Sequence, residues 1–342
     1  MLRARRIPPT ALVLVLVAPL ARALEGAPPF EWQPWGWPVP ELVVAVTIAA
    51  DAGAGAGFAE GSGERSMRAR DYTVTPVQVR YGVFPALEIY GVAQLVWASA
   101  PESWTDPGSS GTPVTYRQVV SGFDGGDMAV GLRWGVVRTD GDAVSAVLTA
   151  AFLFPSGSDV WSYPRTTFIR TFGETPDLST GDGTYKILAG VEVDAGGEDW
   201  GLETQAGYLL KLPVDAAAVA PPASTIEVRM PSPVIARIRP AWKVSDEVSV
   251  LGVVEGYWAP AGKFVLGGEL ARYPGDLATT LDSYMNLVAG EAGLWAGAGL
   301  RWGGSTSPFA AALCLAAPVA ASRVWRQWRL GATVTWSWKP QG

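Results

Sequence analysis

The 342 residues carry 26 lysines and arginines against 32 aspartates and glutamates, a net charge of −6 with no basic run, so the chain has no electrostatic footprint for nucleic acid. Histidine is absent, which excludes serine–histidine–aspartate hydrolysis, aspartate–histidine proteolysis and histidine-ligated metal catalysis. Apolar residues make up 49% and charged residues 17%, yet after the first 23 residues no apolar run reaches the ~18 that a spanning helix needs, so 40 glycines and 16 tryptophans in such a chain point to strands facing lipid.

Residues 1–23 have the three parts of a secretory signal peptide. Arg3, Arg5 and Arg6 precede an apolar run from Ala11 to Leu20, and Ala21-Arg22-Ala23 is a small-x-small cleavage site. The run is about half of what a retained anchor would need. Residues 24–40 come next, with Trp32, Trp35 and Trp37 among Pro34, Pro38 and Pro40. Proline cannot donate to a ladder, so this segment is expected to be a periplasmic lead-in at the barrel mouth. Cys314 is the only cysteine, so no internal disulfide forms.

Strands are expected to begin near Glu41, Thr73 and Leu87. In the next, Met128, Val130, Leu132, Trp134 and Val136 share one parity and Asp127, Gly131, Arg133 and Gly135 the other. A strand near Ala143 leads to one in which Tyr185, Ile187, Ala189, Val191 and Val193 oppose Lys186, Gly190, Glu192 and Asp194. After a strand near Trp200, Val234, Ala236, Ile238 and Trp242 oppose Arg237, Arg239 and Lys243. A strand near Val248 precedes Asn286 to Trp302, where Val288, Ala292, Leu294, Ala296, Ala298, Leu300 and Trp302 oppose Glu291, Gly293, Gly297, Gly299 and Arg301. A strand near Pro308 precedes the last, in which Trp328, Leu330, Ala332, Val334, Trp336 and Trp338 oppose Arg329, Gly331, Thr333, Thr335 and Ser337. Successive side chains on a strand point to opposite faces, so each segment has one apolar and one polar face.

The links between these twelve strands alternate in length, except that the last outer one, Val319 to Trp325, is short. Phe84-Pro85-Ala86, Thr139-Asp140-Gly141, Ala195 to Asp199, Ser245-Asp246-Glu247 and Gly303 to Ser307 are of hairpin length. Ala50 to Asp71, Ser99 to Gly126, Pro155 to Gly183, Pro213 to Ser232 and Ala259 to Tyr284 are long, with room near Thr167 and Val265 for a further strand pair. That order is the plan of an all-β, up-and-down antiparallel transmembrane β-barrel of about 12 strands over residues 41–339, short turns periplasmic and long loops outside.

With the apolar parity toward lipid, the lumen receives Arg80, Glu88, Arg133, Lys186, Glu192, Glu203, Arg237, Arg239, Glu255, Glu291, Arg301 and Arg329, with Asp127, Asp194 and Lys211. This set admits two readings. In one, the charges pair and hold a narrow barrel rigid; in the other, Arg237, Arg239, Arg301 and Arg329 select anions or carboxylates along a polar pathway. Cys314 shares parity with Ala310 and Ala312 and is expected to point inward as a small packing residue. Asp124-Gly-Gly-Asp127 and Ser179 to Thr184 lack the spacing of a calcium loop and read as turns, so no metal or cofactor is expected.

The hairpin Val77-Gln-Val-Arg-Tyr-Gly82, Phe84-Pro85, Leu87-Glu-Ile-Tyr-Gly91 resembles the strand-turn-strand signature of the outer-membrane family named for the meta-pathway of phenol degradation. Phe152-Leu-Phe-Pro-Ser-Gly157 is similar to that family's strand-end Pro-Ser/Thr-Gly. The resemblance implies a barrel that admits hydrophobic or aromatic small molecules, with no catalytic residues to carry over. Lys339-Pro340-Gln341-Gly342 depart from it, following Trp338 where a terminal aromatic is expected. The function expected is passive uptake of small solutes, hydrophobic or aromatic ones among them, through the bacterial outer membrane, without enzymatic activity. The alternatives are a structural or adhesive barrel with a blocked lumen and functional outer loops, and a secreted soluble β-protein. The partners expected are outer-membrane lipid, small-molecule solutes and the barrel assembly machinery.

Overall fold

A computed structural model of the chain describes residues 38–58, 71–106, 114–139, 143–156, 184–217, 225–266, 290–303, 308–322 and 325–338. The expected signal peptide, residues 24–37 of the lead-in and the loop around Thr167 lie outside the described residues. These form strands β1 (Val44–Phe58), β2 (Asp71–Phe84), β3 (Leu87–Asp106), β4 (Val114–Gly125), β5 (Met128–Arg138), β6 (Val144–Phe154), β7 (Lys186–Gly196), β8 (Trp200–Lys211), β9 (Val214–Ala217), β10 (Thr225–Arg229), β11 (Val234–Lys243), β12 (Val248–Ala259), β13 (Lys263–Leu266), β14 (Glu291–Trp302), β15 (Phe309–Ser322) and β16 (Trp325–Trp338).

Neighbouring strands are antiparallel, and β1 pairs with both β2 and β16, Val44 opposite Trp338, so the sheet closes on itself. Closure matters because an open edge in hydrocarbon would leave a row of peptide groups without partners. β4 and β5 are one wall strand interrupted at Gly126 and Asp127: β3 pairs Leu87–Val92 with β5 and Leu95–Asp106 with β4. The wall therefore has twelve strands. β9, β10 and β13 form a three-stranded continuation of β8, β11 and β12 beyond Pro213, Pro231, Pro233 and Pro260, where the ladder breaks for want of an N–H. Val265 thus lies in a strand that lengthens the wall and adds no further pair to it.

The short turns lie at one end, periplasmic in barrels of this plan. In the turn after β11, the Ser245 hydroxyl accepts the amide of Val248 at 3.2 Å. Long links lie at the other end. Outward-facing Ile48, Val130, Leu132, Leu148, Val254 and Leu313 are exposed along the middle of the wall. Trp134, Trp200, Trp242, Trp302, Trp336 and Trp338 girdle the turn end, and Phe154, Tyr185, Tyr208, Trp258 and Trp328 the loop end, all pointing outward. The rings gather in clusters: Phe152 meets Phe154 at 4.9 Å, and Trp336 meets Trp338 at 5.3 Å. Val248 lies opposite Trp302, and β12 climbs from there to Trp258. At the usual rise and tilt that climb is about 33 Å along the strand and about 25 Å along the barrel axis, the height of an outer-membrane apolar band. The chain is a β-barrel of the bacterial outer-membrane type.

A charge placed in the band should be costly. Leu132→Arg, at a position 51% exposed on the outer face, is expected to cost about 2–4 kcal/mol if the position lies at the bilayer midplane, measured by reversible denaturant unfolding from lipid vesicles. A cost near zero would show that this face does not meet lipid.

Candidate functional site

A twelve-stranded ring has a backbone diameter of about 24 Å from the strand spacing and tilt. What the inward side chains do therefore decides whether anything fits through it. On the β2 to β8 side they interlock. Arg80 donates to Glu88 from Nε at 3.0 Å and from Nη2 at 2.9 Å. Arg133 donates to Glu88 from Nη1 at 2.9 Å and to Glu192 from Nη2 at 3.0 Å, and Gln205 donates to Glu192 at 3.4 Å. Glu88, Arg133 and Glu192 are 0% exposed. The amide of Val39, from the lead-in, donates to Glu88 at 2.7 Å, so the chain enters the wall already fastened to this network.

A second group lies across β8, β11, β12, β14 and β16. Glu255 pairs with Arg237 at 2.5 Å and with Arg329 at 2.6 Å, while Arg301 pairs with Glu203 at 2.5 Å. The Arg329 guanidinium also lies 5.4 Å from the centre of the Trp295 ring. Register places Glu192, Gln205, Arg237, Glu255 and Trp295 on one cross-strand row over five neighbouring strands. Toward the loop end Lys186 pairs with Asp127, so this aspartate serves a buried ion pair.

All twelve expected lumen residues lie on inward positions, except that the side chain of Glu291 lies outside the described residues. Arg80, Glu88, Arg133, Lys186, Glu192, Arg237, Glu255 and Arg329 are buried, and Glu203, Arg239 and Arg301 are half-buried around a cavity. The lumen is less polar than expected. Tyr90, Ala151, Leu153, Leu188, Leu209 and Ile235 also point inward and form a packed apolar cluster on the loop side of the Glu88 network. A barrel filled by its own side chains makes its interior a second core, and alternation alone does not require that face to be polar.

Trp295 is the site residue that the polar inward set left out. It shares parity with Gly293 and Gly297, is 2% exposed, and lies flat over Gly293, where an added Cβ would overlap its ring. Gly131 gives Tyr90 the same room, a Cβ there falling 2.5 Å from the ring. For Trp295 the glycines two positions to either side were the available signal, whereas Gly131 faces Tyr90 from the neighbouring strand.

The opposite wall is built from small residues. Thr47, Ala310, Ala312, Cys314, Ala316, Gly331, Thr333 and Thr335 line one side of a cavity of about 320 Å³, and Arg237, Arg239, Arg301, Arg329, Glu203 and Glu255 line the other. Cys314 points inward as expected, across from Gly299 and Gly331. A Cβ added to Gly331 would meet nothing within 4 Å, so the space in front of it is open.

No protein-family model matches the sequence, and no curated protein matches it. Among solved structures, the chain is similar to an outer-membrane channel from Pseudomonas putida F1, with a TM-score of 0.59 and 11% identity over 92% of this chain and 100% of that one. The NanC porin is more distant, with a TM-score of 0.43 and 9% identity over 84% of this chain and 98% of that one. A FadL homologue from Pseudomonas aeruginosa is more distant again, with a TM-score of 0.37 and 8% identity over 86% and 89%. The first likeness is one of fold, an outer-membrane barrel.

Proposed function

We propose that this barrel is a passive outer-membrane channel for small solutes, hydrophobic or aromatic ones among them, and that it is not an enzyme. The observation that carries this reading is the 320 Å³ cavity between the arginine side and the alanine, glycine and threonine side of the lumen. Porin-like conduction needs free bore, and short side chains on β15, β16 and β1 leave it there. The small apolar side chains of Ala310, Ala312 and Ala316 on the open side favour solutes that tolerate an apolar surface over sugars or inorganic ions. The resemblance of Val77 to Gly91 and of Phe152 to Gly157 to the family of phenol meta-pathway barrels agrees with it, and insertion by the barrel assembly machinery is part of the same proposal.

One observation favours the alternative, a structural or adhesive barrel with a blocked lumen. Glu88, Arg133 and Glu192 are fully buried, so the β2 to β8 half of the bore is closed. Reconstitution in planar bilayers, with liposome swelling for aromatic solutes, separates the two. Discrete conductance and solute-dependent swelling are expected. Neither conductance nor swelling from folded, heat-modifiable protein would establish the blocked barrel instead.

A further inference from the structure

We infer that the cavity beside β14, β15, β16 and β1 is a binding site for a small organic anion with an apolar body, an aromatic carboxylate being the simplest such molecule. The inference rests on the channel reading for access, since a solute must reach the lumen, but binding there does not require passage through.

Charge argues first. The lumen's acids and bases are nearly balanced overall but unevenly placed. Glu88 and Glu192 lie on the β3 to β7 side with Arg80 and Arg133. Among the described residues five guanidiniums line the cavity: Arg80 is held by Glu88, and the other four, Arg237, Arg239, Arg301 and Arg329, face two carboxylates, Glu203 and Glu255. Asp194, across from Glu203, is turned to the Ser145 hydroxyl at 3.4 Å and is not part of the lining. These six lining groups therefore sum to two positive charges inside a wall surrounded by hydrocarbon. Excess charge in such a place attracts a counter-ion far more strongly than it would in water.

The shape of the charge argues next. A guanidinium presents a planar fork that matches the two oxygens of a carboxylate, a geometry a lysine would not supply. The facing wall completes the selection. Ala312, Ala316 and Gly331 offer apolar surface, and the neighbouring threonines offer few hydrogen bonds, so a sugar would leave its hydroxyls unpaired while a ring would not. Trp295 and Ala316 continue that surface toward the loop end. The volume of about 320 Å³ suits one ring and its carboxylate, at the lower end of the ~300–1,000 Å³ of small-molecule sites.

Cys314 lines the same cavity and is the only cysteine of the chain, so it reports on the site without engineering. The full-length barrel in detergent and in proteoliposomes is treated with an anionic thiosulfonate, the sulfonatoethyl reagent, and with its cationic trimethylammonioethyl counterpart. Each rate is divided by the rate on the heat-unfolded chain. The anionic reagent is expected to be favoured by at least about tenfold, with sodium benzoate slowing its reaction saturably. R239Q/R301Q should bring the ratio toward one and abolish protection. If that variant fails to show heat-modifiable mobility, E255Q, which removes a cavity carboxylate, should instead raise the ratio. Equal rates, a cationic preference, absence of benzoate protection, or failure of both reagents to reach Cys314 in the folded barrel would each overturn the inference. Benzoate-protected labelling without conductance would remove the channel reading and leave the site, whereas conductance without charge preference at Cys314 would do the reverse.

Discussion

Replacing Glu88 by alanine will destabilise the folded barrel by about 3–5 kcal/mol, the usual cost of removing one partner from a buried ion pair. Glu88 is 0% exposed and accepts from three sources: Arg80 through two nitrogens, Arg133 at 2.9 Å and the Val39 amide at 2.7 Å. Alanine leaves these donors without their shared acceptor, in a place water does not reach. Arg133 keeps Glu192 at 3.0 Å, which limits the loss on that side, whereas Arg80 loses every charge-assisted bond it makes to this carboxylate. Glu88→Gln keeps one acceptor oxygen for Val39 or an arginine and should fall between alanine and wild type. Denaturant unfolding from lipid vesicles, followed by tryptophan fluorescence, measures the difference. A Glu88→Ala barrel as stable as wild type would mean that the arginines find other partners and that the network does not brace the turn end.

Gly331→Trp should fold and reduce flux by at least about tenfold, because a bulky side chain would then occupy the open cavity in front of Gly331. Its Cβ would meet nothing within 4 Å, so a side chain can leave the backbone there without a clash at its first atom. Gly331 lies opposite Cys314 on β15 and opposite Asp51 on β1, facing the cavity between them. The indole would fill that space and shield the Cys314 thiol. Single-channel conductance and liposome swelling give the size of the effect, with heat-modifiable mobility as the check on folding. Unchanged flux in a folded Gly331→Trp barrel would place the pathway elsewhere.

The wall was legible because its signal is local. In β5 the residues Met128, Val130, Leu132 and Trp134 face out and Ala129, Gly131 and Arg133 face in, as a period of two requires, and each strand repeats the test within about ten residues. The short links mark one rim of the barrel for the same reason. The expectation of a polar lumen went astray at Leu153, Leu188, Leu209 and Ile235. Their parity places them inside, but an amphipathic strand invites every apolar residue to be assigned to lipid. Val39 was legible only as part of a lead-in near the mouth; that its amide fastens to Glu88, 49 residues away, needed the closed ring.

The sequence by itself determined that this chain forms a lipid-facing barrel of about twelve strands and offered a set of charges for its inner face, because strand period and link length are properties of neighbouring residues. Only the tertiary structure decided what those charges meet. Glu88 and Arg133 lie opposite each other on adjacent strands, but Arg133 reaches Glu192 past β6, and Arg301 on β14 reaches Glu203 on β8 past two strands. Such contacts depend on the tilt and stagger of the whole ring. They turn a set of inward arginines into a packed, ion-paired half and a small-walled half with a cavity, the physical difference between a brace and a binding site.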